Sequence, residues 1–338
     1  MGNFSYVISA RQVNRQKEFT DEPGKLRFLE VPAGATYKPE HEINATEWVK
    51  KVQDAADGNV DNRIARYGDV LIFIHGYNNT IDNVALRQQL LQRDLTAENW
   101  RGLVISFDWP SNDNTLNYYE DRWDASSTAM SLITKGIRLI VEGQRKGCQT
   151  NIHMLGHSTG AYVIMEAFMQ TEKKKDWFQS DWRMGQVALI GADISARSLD
   201  QDSDWNTPLF KRIMRLTNYS NGHDYVLSVS NAKRLGVSPR VGRVGLTDGH
   251  HPKAVNVNCS NFFDTIDPTS QPDKVGTWVH SWHIGNRTWA RDLAMTLEGR
   301  IDRNAIPTRV INNGELFLGE GTRPHYEESW LERNELRK

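Results

Sequence analysis

The chain of 338 residues has little cysteine, almost no net charge and no long apolar run, and each absence removes a class of function. Its two cysteines, Cys148 and Cys259, are too few for a disulfide framework and lack partners at metal-ligand spacing, so no metal is expected. Both read as small core residues. Lys plus Arg number 41 against 42 Asp plus Glu, a formal net charge of −1. That balance argues against a nucleic-acid partner held by a general basic field. No stretch approaches the roughly 18 consecutive apolar residues of a membrane span, and the N-terminal apolar run is too short for a signal peptide. A cytoplasmic protein is therefore expected. Neither a phosphate-cradling Gly-Lys loop nor a dinucleotide G-x-G-x-x-G is present, so no nucleotide cofactor is expected, and nothing speaks to the oligomeric state.

What is present is an ordinary globular composition, 38% hydrophobic and 25% charged, arranged as short β-rich runs separated by helical patterns. The runs are Val70–Ile74, Leu103–Phe107, Ile152–Leu155, Val187–Ile190, Ile213–Thr217 and Ala254–Asn258. Helical periodicity lies between them over 81–97, 123–146 and from Gly160 onward, with a last helix over Asn286–Glu298. This alternation predicts an α/β fold, a mostly parallel central sheet with helices on both faces. Tyr6–Ile8 and Leu26–Val31 predict two antiparallel edge strands that supply sheet and no chemistry. Residues 300–338 are polar and read as a tail packed outside a single domain, whose edge strands fill about 1–60 and whose catalytic core spans about 66–299.

One segment carries chemistry. The strand ending at Leu155 runs into Gly156-His157-Ser158-Thr159-Gly160, which opens a helix. A G-x-S-x-G turn needs its glycines because side chains there would collide with the strand or helix being joined, and it lifts one hydroxyl above the sheet. A second element, His75-Gly76-Tyr77-Asn78-Asn79, follows the first central strand. Acyl transfer requires two N–H groups aimed at an oxyanion, one after the nucleophile and one from an earlier loop. Thr159 and Tyr77 occupy those places, with His75 shaping the loop.

These motifs resemble those of the α/β-hydrolase superfamily, and within it an uncharacterised, largely bacterial family. That family's marks are matched by His75-Gly76-Tyr77-Asn78-Asn79, Trp109-Pro110-Ser111, Tyr118-Tyr119-Glu120-Asp121-Arg122 and Gly156-His157-Ser158-Thr159-Gly160. The resemblance covers roughly 66–298 and implies the α/β-hydrolase fold and a triad in the chain order Ser, acid, His. It points to Asp224 as acid, with Asp193 after the preceding strand as competitor. It points to His280, in His280-Ser281-Trp282, as base, with His283 as competitor. Ser158, His280 and Asp224 would then make a serine hydrolase of carboxylic esters acting on a small ester or acyl substrate. An acyltransferase, lipase or amidase using the same triad, and a non-catalytic binding protein on this scaffold, remain the alternatives.

The chain also carries 11 tryptophans. Trp109 and Trp282 fall beside the proposed machinery, and together with His75 they are expected to line the substrate pocket near Ser158.

Overall fold

Alternation along the strands decides which helices cover which face of the sheet. The computed structural model describes residues 4–58, 68–111, 132, 136, 150–172, 182–232, 239–271 and 275–324. In β3 (Asp69–Ile74), Val70, Ile72 and Ile74 point to one face, and Leu71 and Phe73 to the other. The first set joins Leu103, Ile105 and Phe107 of β4 (Gly102–Asp108) and Met154 of β5 (Ile152–His157). This face is covered by α1 (Ala45–Gly58) and α3 (Gly160–Thr171). On the opposite face lie α2 (Ile81–Ala97) and, near the C-terminus, α9 (Arg287–Glu298). Two apolar clusters back to back are what a sheet buried on both sides requires.

The sheet has ten strands in the order β2-β1-β4-β3-β5-β6-β7-β8-β10-β9. Its parallel centre adds β6 (Met184–Ile190), β7 (Ile213–Ser220) and β8 (Ala254–Asn258). All six strands anticipated there are found. The chain leaves β3 for β4 on one side and later places β5 on the other, so order reverses at the β3/β5 pair. Loops following neighbouring parallel strands diverge at such a point, which opens a crevice at the carboxyl ends.

Both ends of the sheet differ from expectation. β1 (Phe4–Val13) and β2 (Phe19–Pro32) form the antiparallel pair foreseen at one edge, but β1 also pairs in parallel with β4 and carries buried polar side chains that matter below. The supposed C-terminal tail contributes β9 (Arg309–Asn312) and β10 (Glu315–Leu318), the latter parallel to β8. Their turn is Asn313-Gly314, with φ of 49° and 82°. Positive φ at both central residues is the geometry that twists two strands into a tight hairpin, and Asn-Gly is its usual sequence. The hairpin is fastened by a fully buried ion pair, Arg309 Nη2 to Asp292 Oδ1 at 2.7 Å, within a network that includes Thr308 and Tyr219. Burial raises the Asp292 pKa, but the Arg309 charge and donated hydrogen bonds hold it below the ordinary carboxylate value.

The anticipated helix over 123–146 and the 118–122 motif lie outside the described residues, Leu132 and Gly136 excepted. Among the described residues no helix is long and apolar enough to cross a membrane.

Candidate active site

β5 ends at His157 and α3 begins at Gly160, so Ser158 and Thr159 make the whole turn. Ser158 has φ 55°, in the left-handed region. A side chain there costs about 1–2 kcal/mol against the neighbouring carbonyl. Three backbone bonds hold the conformation: Ser158 N–H donates to Ile190 O at 3.0 Å, and Ser158 O accepts from Ala161 and Asp193 N–H, each at 3.1 Å. The flanking glycines have measurable reasons. A Cβ on Gly156 would stand 2.8 Å from Ile164 Cδ1, and one on Gly160 would stand 2.2 Å from Ile74 O. Helix α3 can therefore start tight against β3 and β5 only with both in place.

The loop after β3 presses onto the same turn. A Cβ on Gly76 would fall 2.6 Å from Ser158 Cβ. The loop is tied from inside: Asn79 Nδ2 donates to the carbonyls of Gly76 and Tyr77, both at 2.9 Å, and Asn79 N–H donates to Ser111 Oγ at 3.2 Å. His75 is fully buried, with Nδ1 2.7 Å from Gly76 O and Nε2 accepting from Trp109 N–H at 3.1 Å. Burial lowers its pKa against the opposing pull of Asp108, so the ring is neutral at pH 7. Beneath it, Arg11 Nε of β1 meets both oxygens of Asp108 at 3.0 Å, Ser9 Oγ donates to Asp108 at 2.9 Å, and Arg11 Nη2 donates to Asn79 O at 2.9 Å. The edge strand thus supports the functional loop, which corrects the expectation that it supplies sheet alone.

The third part comes from beyond β7. Asp224 lies in the loop leading into α5 (Tyr225–Ala232), where its Oδ1 accepts from Leu227 N–H at 3.3 Å and its own N–H donates to Asn221 O at 3.1 Å. His280 sits on the single turn α8 (Trp278–Ser281), and its Nδ1 is 2.7 Å from Asp224 Oδ2. Asn221 Nδ2 donates to Val279 O at 3.3 Å and so fixes the Asp224 loop to the His280 turn. The imidazole packs on Gly191, where a Cβ would be 3.0 Å from His280 Cε1. Gly191 directly follows Ile190, whose carbonyl holds the Ser158 amide, so the His280 ring stands beside the elbow.

The competing residues are placed differently. Asp193 faces Arg240, Oδ1 to Nε 3.1 Å, with both side chains buried. His283 is buried between the Trp282 and Trp289 rings, and its ring nitrogens find no hydrogen-bond partner among the described residues. Burial, then the proximity of His280, holds its pKa well below the usual value.

The pocket expectation for His75, Trp109 and Trp282 does not survive. Trp109 is 0% exposed and Trp282 1%, and they belong to apolar clusters on opposite faces of the sheet. Rings with no accessible surface on two different faces cannot line one open pocket. Trp109 instead stacks on His75 at 5.5 Å and donates from Nε1 to His75 O at 2.9 Å. It braces the loop. Trp282 packs with Phe262, Phe263 and His283.

Buried polar residues are what sequence reasoning missed. Arg87 and Gln88 sit on α2 among Val84, Leu91 and Leu95, at the three-and-four spacing of its apolar stripe. A charge on that stripe was the available signal. Arg11 gave a similar one, as a lone cation in the apolar run of β1. Cys259 is buried and its thiol pKa pushed up accordingly, while Cys148 lies outside the described residues. Among the described residues no group of three or more His, Cys, Asp or Glu side chains could hold a metal ion.

Residues 52–274 match the sequence model of a family described as alpha/beta hydrolase of unknown function (DUF900). No curated protein sequence matches. Solved structures with a similar course of chain include a dienelactone hydrolase from Anabaena variabilis, 14% identical over 78% of this chain and 91% of its own, TM-score 0.32. Phospholipase PlaB from Legionella pneumophila is 13% identical over 74% of this chain and 68% of its own, TM-score 0.33. Trichoderma reesei cutinase is 12% identical over 75% and 88%, TM-score 0.30.

Proposed function

Because the chain belongs to this alpha/beta hydrolase family, we propose that it is a serine hydrolase that cleaves a carboxylic ester through an acyl-enzyme on Ser158. The observation that carries the reading is the 2.7 Å contact between His280 Nδ1 and Asp224 Oδ2, with the imidazole packed on Gly191 beside the elbow. A carboxylate at Nδ1 keeps the proton there and leaves Nε2 free to accept another. His280 Nε2 takes the Ser158 proton as Oγ bonds to the ester carbonyl carbon. The N–H groups of Tyr77 and Thr159 receive the oxyanion. On collapse the imidazolium returns its proton to the departing alkoxide, and the alcohol leaves. Water then repeats the sequence on the acyl-enzyme, its proton going to His280 and then to Ser158 Oγ as the carboxylic acid departs. The Asp224 carboxylate at Nδ1 stabilises the transient imidazolium.

The left-handed conformation of Ser158 fits this role. It is an unfavourable local state held by three backbone bonds, as expected where exposure of the hydroxyl matters more than local stability. The test is Ser158→Ala, assayed with p-nitrophenyl esters from acetate to palmitate and with a fluorophosphonate probe. Turnover is expected to fall by about 10³-fold or more and labelling to vanish, with thermal unfolding unchanged. Undiminished turnover in the variant would overturn the proposal.

A further inference from the structure

Arg87 projects from α2 into the interior behind the elbow and has no carboxylate partner among the described residues. Burial pushes its pKa down to about 10, which still leaves it charged at neutral pH. An unpaired buried cation is an expensive arrangement, and a leucine at this point of the apolar stripe would avoid the cost. What the guanidinium does with its donors is therefore informative. Nη1 donates to His157 Nδ1 at 3.1 Å, and Nη2 reaches Val275 O at 3.2 Å and Ser281 Oγ at 3.4 Å. The chain folds closely round this head: a Cβ on Gly276 would fall 2.6 Å from Nη2, and Gly276 has φ 83°.

The contact with His157 has a further consequence. Arginine only donates, so His157 Nδ1 must accept and the ring proton sits on Nε2. Nε2 lies 3.3 Å from His280 O and 3.4 Å from Ser281 Oγ. His157 immediately precedes Ser158, while Val275, His280 and Ser281 belong to the segment that carries His280. One cation thus reaches both halves of the proposed machinery, the serine through its neighbour and the histidine through its backbone. Burial, then Arg87, then His280 hold His157 well below the usual histidine pKa. With both ring nitrogens engaged, the His157 ring acts as a strut and leaves the Ser158 proton to His280.

We infer that Arg87 and His157 are positioning residues, the guanidinium fixing the His157 tautomer and the pair together holding the 275–281 backbone so that the His280 ring stays beside Ser158. The inference rests on the serine-hydrolase reading. Neither residue is assigned a contact with substrate, which makes the expected kinetics specific.

The experiment uses the full chain with Arg87→Met, Arg87→Lys, His157→Leu and His157→Gln. Readouts are ester turnover, the rate of fluorophosphonate labelling, thermal unfolding, and nitrogen-15 spectra of the histidine rings. Arg87→Met and His157→Leu are expected to lower kcat and labelling about 10- to 100-fold, as a displacement near 1 Å does, with KM nearly unchanged. His157→Gln should recover most of the loss, because its amide keeps both an acceptor and a donor, and Arg87→Lys only part of it. The wild-type spectrum should show His157 protonated at Nε2, and Arg87→Met a mixture of tautomers. A folded Arg87→Met with wild-type kcat overturns the inference, as does a rise in KM alone, which would make Arg87 a substrate-binding group. If Arg87→Met does not fold, the His157 pair decides: Gln no better than Leu overturns it. A wild-type protein that the probe fails to label overturns the serine-hydrolase reading and this inference with it, whereas labelled wild type beside unimpaired variants overturns this inference alone.

Discussion

Replacing Gly76 by alanine adds one methyl group at the closest approach between the loop after β3 and the elbow. The new carbon would lie 2.6 Å from Ser158 Cβ, 3.0 Å from His157 O and 3.2 Å from His157 Nδ1. Carbon atoms rest at about 3.5–4.0 Å, so the first contact is short by roughly 1 Å. Two of the three obstacles are backbone or Cβ atoms with no rotamer to turn aside. Either the loop retreats or Ser158 moves, by about that distance. A shift near 1 Å at reacting groups costs on the order of 10²-fold in rate, equivalent to about 2.7 kcal/mol of transition-state stabilisation. Overpacking itself costs about 1–3 kcal/mol of folding stability. Gly76 is not among the glycines with positive φ, so backbone strain adds nothing and the effect is steric alone. The assay is kcat on a p-nitrophenyl ester alongside thermal unfolding. The control is Gly249→Ala, whose Cβ meets nothing nearer than 3.8 Å and which should behave as wild type. A folded Gly76→Ala protein with undiminished kcat would refute the placement of this loop against Ser158.

Asp224→Asn keeps the shape of the acid but removes the charge and the fixed tautomer of His280. We expect kcat to fall about 10³- to 10⁴-fold with little change in KM, measured by steady-state kinetics. Asp292→Asn leaves Arg309 as a buried charge without its counter-charge, and calorimetry should show a loss of about 3–5 kcal/mol at pH 7. The Asp292 pKa is lower in the folded state than in the unfolded chain, so its contribution is complete above the unfolded value of about 3.9 and fades as pH falls below it. The acid limb of the stability curve should therefore flatten in the variant, and an unchanged limb contradicts the sign. Trp109→Phe leaves the carbonyl of His75 without its indole donor, a loss of about 1–3 kcal/mol by chemical denaturation. Because that ring has no accessible surface, preference among esters of different chain length should not move, and a changed preference would return Trp109 to the pocket.

Legibility in the sequence tracked how local each signal was. The central strands were readable because a buried parallel strand is a continuous apolar run, and the elbow because its whole pattern, Gly156 to Gly160, is contiguous in the sequence. Asp224 and His280 were reachable only through chain order and resemblance, since 56 residues separate a pair that meets at 2.7 Å. The two alternatives stayed open for the same reason: nothing near Asp193 in the sequence announces its contact with Arg240. The β9–β10 hairpin was missed although Asn313-Gly314 marked it, because the flanking strands are only four residues each and sit in a polar stretch. Trp109 and Trp282 were placed by proximity along the chain, which cannot distinguish a ring facing a crevice from one facing the core beneath it.

Three buried arginines show why the polar interior was the hardest part to foresee and what it says about the site. Arg11 and Arg309 each meet a buried carboxylate, Asp108 and Asp292, and each pair joins an outlying strand to the body of the fold. Attraction within such a pair roughly offsets the desolvation of both charges, so their presence is compatible with a purely architectural role. Arg87 has no such offset among the described residues. Arg87→Met removes the buried charge but leaves His157 Nδ1 and Val275 O without their donor, two effects of opposite sign on stability, so the roles are separated by kinetics and not by the unfolding temperature. Under the positioning inference the folded variant turns ester over more slowly with KM nearly unchanged, and His157→Gln recovers the rate that His157→Leu loses. A purely architectural role predicts instead that turnover follows the folded fraction, with kcat per folded molecule unchanged.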